Sequence, residues 1–167
     1  MSIAQLFHTV KYLKLGQVTN RLTRRLRKPR RYRGKALASV APKLPWQVTA
    51  AFKPSFIVDG EAHFLNEAGP LFEWENPHKS KLWLYNLHYF DDLAAEGADS
   101  RALLHRDIIS HWIENNPPLV GTGWEPYPLS LRICNWIKWL LAGNAPVDGM
   151  QASLVEQVSA LSQQVEH

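Results

Sequence analysis

The residues best suited to chemistry lie between Gly121 and Leu141, where charged and polar side chains stand among tryptophans. A helical projection places Glu125, Arg132 and Asn135 on one side, and both sides of the helix are apolar enough to be covered. An unpaired buried charge costs several kcal/mol, so Arg132 needs a partner. Two interpretations follow: an ion pair with Glu125, or a cleft wall whose guanidinium binds the carboxylate or sulfate of a ring-shaped ligand.

A second polar group, formed by Asn86, His88 and Tyr89, lies within one predicted helical turn. An amide, an imidazole and a phenol are groups that can bind a carboxylate and move a proton. Residues i and i+2 point apart on a helix, so this spacing does not require the three to converge. Three interpretations remain for them: packing with satisfied polar tips, ligand contact, and catalysis.

Several aromatic residues in these stretches either stack on sugar rings or form the core, namely Trp83, Trp124, Tyr127 and Trp139. The single cysteine, Cys134, lies in the apolar helix and is predicted to be a core thiol. The seven histidines show no metal-ligand spacing, so we expect neither a metal nor a cofactor.

Two long blocks of the chain lie in a fixed order. The first is Leu-Trp-Leu-Tyr-Asn-Leu-His-Tyr-Phe-Asp at 82–91, and the second is Trp-Glu-Pro-Tyr-Pro-Leu-Ser-Leu-Arg-Ile-Cys-Asn-Trp-Ile-Lys-Trp at 124–139. Together they resemble the N-terminal region of the heparinase II/III-like proteins, a family of polysaccharide lyases and their relatives. The resemblance extends from about Phe56 to the end of the chain.

This resemblance implies a mainly α fold, an incomplete (α/α) toroid of helical hairpins over 55–167 whose inner helices line a sugar-binding cleft. It also implies β-elimination of an acidic, uronate-containing polysaccharide, in which the sugar carboxylate is neutralised and the adjacent C5 proton removed. The family's catalytic Asn, Tyr and His are expected beyond His167, so we expect the chain to be inactive alone. The substrate-binding candidates are Arg132, Glu125, Asn135, Trp124, Tyr127 and Trp139.

The elements that position these residues follow from periodicity and from turn signals. We predict a short two-stranded hairpin around Asp59-Gly60, loops from Asn66 to Ser80, and then four helices joined by Gly- or Pro-marked connections. The first predicted helix runs from Leu82 to Ala95, and the second is capped by Ser100 and stopped at Asn115 to Pro118. The third lies within the Trp124 to Leu141 stretch and begins near Pro126. The fourth runs from Met150 to His167.

The first third of the chain is basic. Residues 1–58 hold 13 of the 19 lysines and arginines and no acid, which leaves 6 bases against 15 acids downstream. Residues 1–54 are therefore predicted to be a basic amphipathic arm and linker. Its charge is either simply solvated or binds an anionic partner, through Lys11 to Lys35: an acidic glycan, a membrane surface or RNA.

Three functions follow. The chain is the N-terminal part of a polysaccharide lyase, a non-catalytic module that binds acidic glycan, or a protein that uses its basic arm to bind a membrane surface or nucleic acid. We expect no specific nucleic acid as a partner. The chain shows no recognisable signal peptide and no run near the roughly 18 apolar residues of a membrane span. This predicts a cytoplasmic or peripheral-membrane location, with the periplasm as the alternative that the family suggests. Exposed toroid faces are expected to promote self-association.

Overall fold

The computed structural model describes residues 29–34 and 53–164. The chain divides into two units between Arg30 and Arg31, and the elements below belong to the second unit. This part is mainly helical with a small antiparallel sheet, so the predicted mainly α class is confirmed. The basic amphipathic arm and linker predicted over 1–54 lie outside the described residues, apart from 29–34 and 53–54.

The sheet has three strands rather than the predicted two. They are β1 (Ile57–Val58), β2 (Glu61–Phe64) and β3 (Glu67–Pro70), paired antiparallel in that order. The first turn is Asp59-Gly60, as predicted, and both residues have positive φ.

The third strand lies in the stretch that was predicted to form loops. It pairs with β2 because Leu65 and Asn66 both adopt positive φ, at 56° and 63°, and so form a second two-residue turn. Leu65 is an uncommon residue for that conformation, and Gly69-Pro70 indicates a loop when read from sequence alone. The sequence therefore carried only half of the usual turn signal, in Asn66.

Four α-helices follow among the described residues, in the predicted order. Their bounds are α1 (Lys81–Tyr89), α2 (Ala102–Asn115), α3 (Pro126–Leu141) and α4 (Met150–Ser162). The predicted start of α3 is confirmed, because Pro126 occupies its first turn. The predicted helix is longer than α4, whose last helical residue is Ser162, and residues 165–167 lie outside the described residues.

Two predicted helix boundaries are also wrong. Helix α1 ends at Tyr89 because Phe90 adopts the left-handed conformation, with φ 60°, and a 3-10 turn over Asp91–Ala94 replaces the predicted last turn. Ser100 does not cap α2, whose N-cap is Arg101; the Ser100 hydroxyl instead donates to the carbonyl of Gly97 at 2.7 Å.

Helix α3 is buried on one side only. Leu129, Arg132, Ile133, Trp136 and Trp139 are buried, whereas the opposite side includes exposed residues. The prediction that both sides are covered is therefore wrong.

That open side of α3 carries Ile137, which is 41% exposed, and Cys134. The prediction that Cys134 is a core thiol is wrong, because the residue lies outside the buried stripe of the helix. An apolar helical position is thus not always a buried one.

The core is built from large rings. Trp112 and Trp136 are fully buried with ring centroids 5.5 Å apart and planes at 89°, and Phe90 packs edge-on against both. Such edge-to-face contacts add about 0.5–1.5 kcal/mol per pair beyond burial. This aromatic cluster fixes α1, α2 and α3 together.

A buried carboxylate secures the turn after α1. Asp92 accepts hydrogen bonds from Ser55 Oγ at 2.6 Å, Arg101 Nε at 2.8 Å and His105 Nε2 at 2.8 Å. Burial alone would raise the pKa of Asp92, but these hydrogen bonds outweigh it and hold the pKa below its usual value of 3.8. The network joins the segment before β1 to α2.

Within the described segments, every helix falls short of the length and apolar character required to cross a bilayer.

Candidate functional site

The two sequence blocks come together where α1 packs against α3. Tyr85 and Tyr89 are four residues apart on α1 and face the start of α3, which carries Tyr127. The ring of Tyr127 lies 6.5 Å from that of Tyr85 and 5.6 Å from that of Tyr89, centroid to centroid. Tyr127 is 59% exposed, Tyr85 half-buried and Tyr89 buried.

A charged pair borders these rings. Glu125, the N-cap residue of α3, accepts a hydrogen bond from the Tyr85 hydroxyl through Oε2, and its Oε1 lies 2.8 Å from Lys81 Nζ. The ammonium also lies 5.4 Å from the centroid of the Tyr85 ring. We call Tyr85, Tyr89, Tyr127, Lys81 and Glu125 the tyrosine surface.

Ionisation at the tyrosine surface follows from these contacts. The hydrogen bond to Glu125 raises the pKa of Lys81, so the ammonium stays charged. Burial, and then the hydrogen bond to Glu125, raise the pKa of Tyr85. Burial, and then the neighbouring Tyr127, raise the pKa of Tyr89 to about 12. The phenols of Tyr85 and Tyr89 therefore remain protonated at neutral pH and act as neutral hydrogen-bonding groups.

Arg132 does not reach this surface. Its side chain is fully buried, its guanidinium carbon lies 3.8 Å from the Trp112 ring centroid, and its Nε donates to Gln157 Oε1 at 3.0 Å. The predicted ion pair with Glu125 is wrong, because Glu125 faces Lys81 and Tyr85 instead.

The rest of the Arg132 side chain is only partly satisfied. Nη1 approaches the carbonyl oxygen of His88 at 3.5 Å, while the buried Nη2 and the buried Nε1 of Trp136 have no hydrogen-bond partner among the described residues. Burial lowers the pKa of Arg132. In this arrangement the guanidinium is enclosed by protein rather than open to a ligand.

His88 is enclosed as well. The indole N–H of Trp112 donates to Nδ1 at 3.0 Å, so the ring proton resides on Nε2, which faces the carbonyl oxygen of Trp74 and the hydroxyl of Thr122, both at 3.1 Å. Burial, and then the charge of Arg132, lower the pKa of His88 to about 3. Both nitrogens are thus engaged in a neutral ring.

Asn135 fixes the end of α1. Its side-chain amide donates to the carbonyl oxygen of Tyr89 and to Asp91 Oδ1, both at 2.8 Å. The last carbonyls of a helix lack partners within that helix, so α3 supplies the cap that α1 cannot provide. Asn135, predicted to bind substrate, here holds the left-handed turn at Phe90 and with it the position of Tyr89.

The other predicted residues divide between core and surface. Trp124 and Trp139 are buried, and the indole of Trp124 donates to the carbonyl oxygen of Asn116 at 3.2 Å. Asn86 donates to the carbonyl of Leu82 in its own helix at 2.8 Å. Of the aromatic candidates for sugar stacking, Tyr127 is the one with an open ring.

Lys81 and Tyr85 were not among the predicted site residues, although both lie beside or within the first sequence block. Their positions in the sequence, four apart on α1, indicate a shared helix face, but their proximity to Glu125 depends on the packing of α1 against α3. In residues 29–34 and 53–164, histidine, cysteine and acidic side chains form no group of three suited to a metal ion.

Comparison of the chain with protein-family models, with curated proteins and with solved structures gives no match.

Proposed function

We propose that the chain is the N-terminal helical part of a heparinase II/III-like polysaccharide lyase, arranged as part of an (α/α) toroid, and that it binds acidic polysaccharide without cleaving it. The observation that carries the proposal is the tyrosine surface, where the open ring of Tyr127 and the exposed ammonium of Lys81 both lie beside the ring of Tyr85. An aromatic face suits the apolar side of a sugar ring, and an ammonium suits its carboxylate.

The position of the two family-like blocks supports the same proposal. Residues 82–91 include most of α1, and residues 124–139 include most of α3; these helices pack on each other and both contribute to the tyrosine surface. A shared site gives both blocks a common role.

The described residues favour binding over elimination. Removal of a C5 proton requires a base that can reach the sugar, yet His88 is buried with both ring nitrogens engaged. The side-chain amide of Asn86 donates a hydrogen bond within its own helix, and Tyr89 is a buried phenol with a pKa of about 12. These three residues were the catalytic candidates predicted from the sequence.

Incubation with alginate, hyaluronan, chondroitin and heparan sulfate tests the absence of eliminase activity. Uronate elimination leaves a conjugated double bond, so the ultraviolet absorbance of the product reports turnover. We expect a flat trace for protein shown to be folded by circular dichroism. A rise that disappears in Arg132→Ala would contradict the proposal, because it would show that the enclosed residues assemble a working catalytic site.

A further inference from the structure

The charges at and beside the tyrosine surface alternate in sign. Lys81 faces Glu125 at 2.8 Å, and Asp91, held by Asn135, faces Lys53 Nζ at 3.8 Å. The two cations and the two carboxylates cancel. The site therefore differs from a basic cleft that attracts polyanions by net charge.

The unused hydrogen-bonding capacity of the charged pair lies on Lys81. Each oxygen of Glu125 already has a partner, Lys81 on Oε1 and Tyr85 on Oε2. An ammonium carries three donors; Lys81 directs one to Glu125 and one to Tyr85, which leaves one for a ligand. A ligand carboxylate can thus join the exposed ammonium without displacing a contact, whereas a ligand cation would have to displace Lys81.

The geometry limits how many anionic groups can be accommodated. The ammonium is a compact point charge without the planar fork of a guanidinium. Glu125 lies 2.8 Å from it, so a second anion placed beside the ammonium would meet this carboxylate. The ammonium therefore accommodates one negative charge per sugar, and Glu125 repels a second one placed beside it.

We propose that the tyrosine surface selects an unsulfated polyuronate, with one carboxylate per sugar, over a densely sulfated polysaccharide. One sugar stacks on Tyr127 while its carboxylate binds Lys81. This inference rests on the proposed function, and it names the class of substrate that the same site takes.

The experiment compares alginate and heparin oligosaccharides of equal length, titrated into the full chain at physiological ionic strength. The basic N-terminal residues are common to all variants, so differences between variants isolate the tyrosine surface. Tyr127→Ala and Lys81→Gln are each expected to weaken alginate binding about tenfold. Both should change heparin binding less than twofold, and Glu125→Gln should strengthen heparin binding.

Leu103→Ala is the matched control, because Leu103 is an exposed residue on α2 and lies outside the tyrosine surface. It should leave both affinities unchanged. If Tyr127→Ala weakens heparin as much as alginate, the site binds polysaccharide but the proposed selectivity is wrong. If Tyr127→Ala affects neither polymer, both the selectivity and the proposed function are wrong.

Discussion

His88 shows how neighbouring side chains decide the chemistry of one imidazole. Its ring stacks 5.5 Å from that of Trp74 and lies edge-on to that of Trp112, with both nitrogens in hydrogen bonds. Protonation would place a second positive charge near Arg132 and would remove the acceptor that Trp112 uses. The neutral form is therefore part of the folded structure.

This environment predicts a pH dependence of stability. The pKa of His88 falls from 6.5 to about 3 on folding, so between those values the unfolded chain binds a proton that the folded chain does not. The stability that His88 contributes is complete above pH 6.5 and is lost as the pH falls toward 3, by about 1.4 kcal/mol per pH unit.

Urea unfolding between pH 7 and pH 5 measures this slope. A His88→Gln variant should show a shallower slope in the same range, although it is less stable at pH 7. Equal slopes in the two proteins would show that another group binds the proton and that His88 is not held neutral.

Arg132 shows what residue type and spacing could establish and what they could not. The apolar character of its helix correctly predicted burial, but the choice of partner depended on packing. Glu125 is the N-cap residue of α3 and its carboxylate contacts side chains of α1. Gln157 of α4 instead accepts the hydrogen bond of the Arg132 guanidinium, although it lies in a distant part of the chain. Contacts between elements separated by 25 residues have no local signal in the sequence.

The end of α1 is set by another helix. A left-handed conformation costs a residue other than glycine about 1 kcal/mol, and Phe90 adopts it because its ring packs against Trp136 while Asn135 ties the adjoining backbone. The aromatic pattern from residue 82 onward indicated helix, which is correct as far as Tyr89. The end of the helix depends on contacts with α3, so the periodicity of the sequence predicted a helix that was too long.

An Asn135→Ala variant tests this cap. It removes two hydrogen bonds of 2.8 Å, one of them to the carboxylate of Asp91, and we expect a loss of about 1–3 kcal/mol of unfolding free energy. Cys134→Ala is the matched control, since Cys134 is the exposed neighbour on the same helix. Thermal or urea unfolding measures both, and a loss no larger than that of the control would show that Asn135 does not stabilise the turn.

At the level of the whole chain, the order and type of the main elements were predictable, because glycines, prolines and apolar periodicity separate the helices clearly. The tyrosine surface was less predictable from the sequence. Tyr127 and Glu125 were expected to bind substrate, whereas Lys81 and Tyr85 join them only through the packing of α1 on α3. The toroid remains a prediction that follows from the family resemblance.

Calorimetric titration of an alginate oligosaccharide into the wild type, Tyr127→Ala and Leu103→Ala tests directly whether the tyrosine surface binds polysaccharide. We expect binding by the wild type and by Leu103→Ala, with about a tenfold loss of affinity in Tyr127→Ala and retained folding in all three proteins. Equal affinity in the three proteins would contradict it, because the open ring of Tyr127 would then contribute nothing to polysaccharide binding.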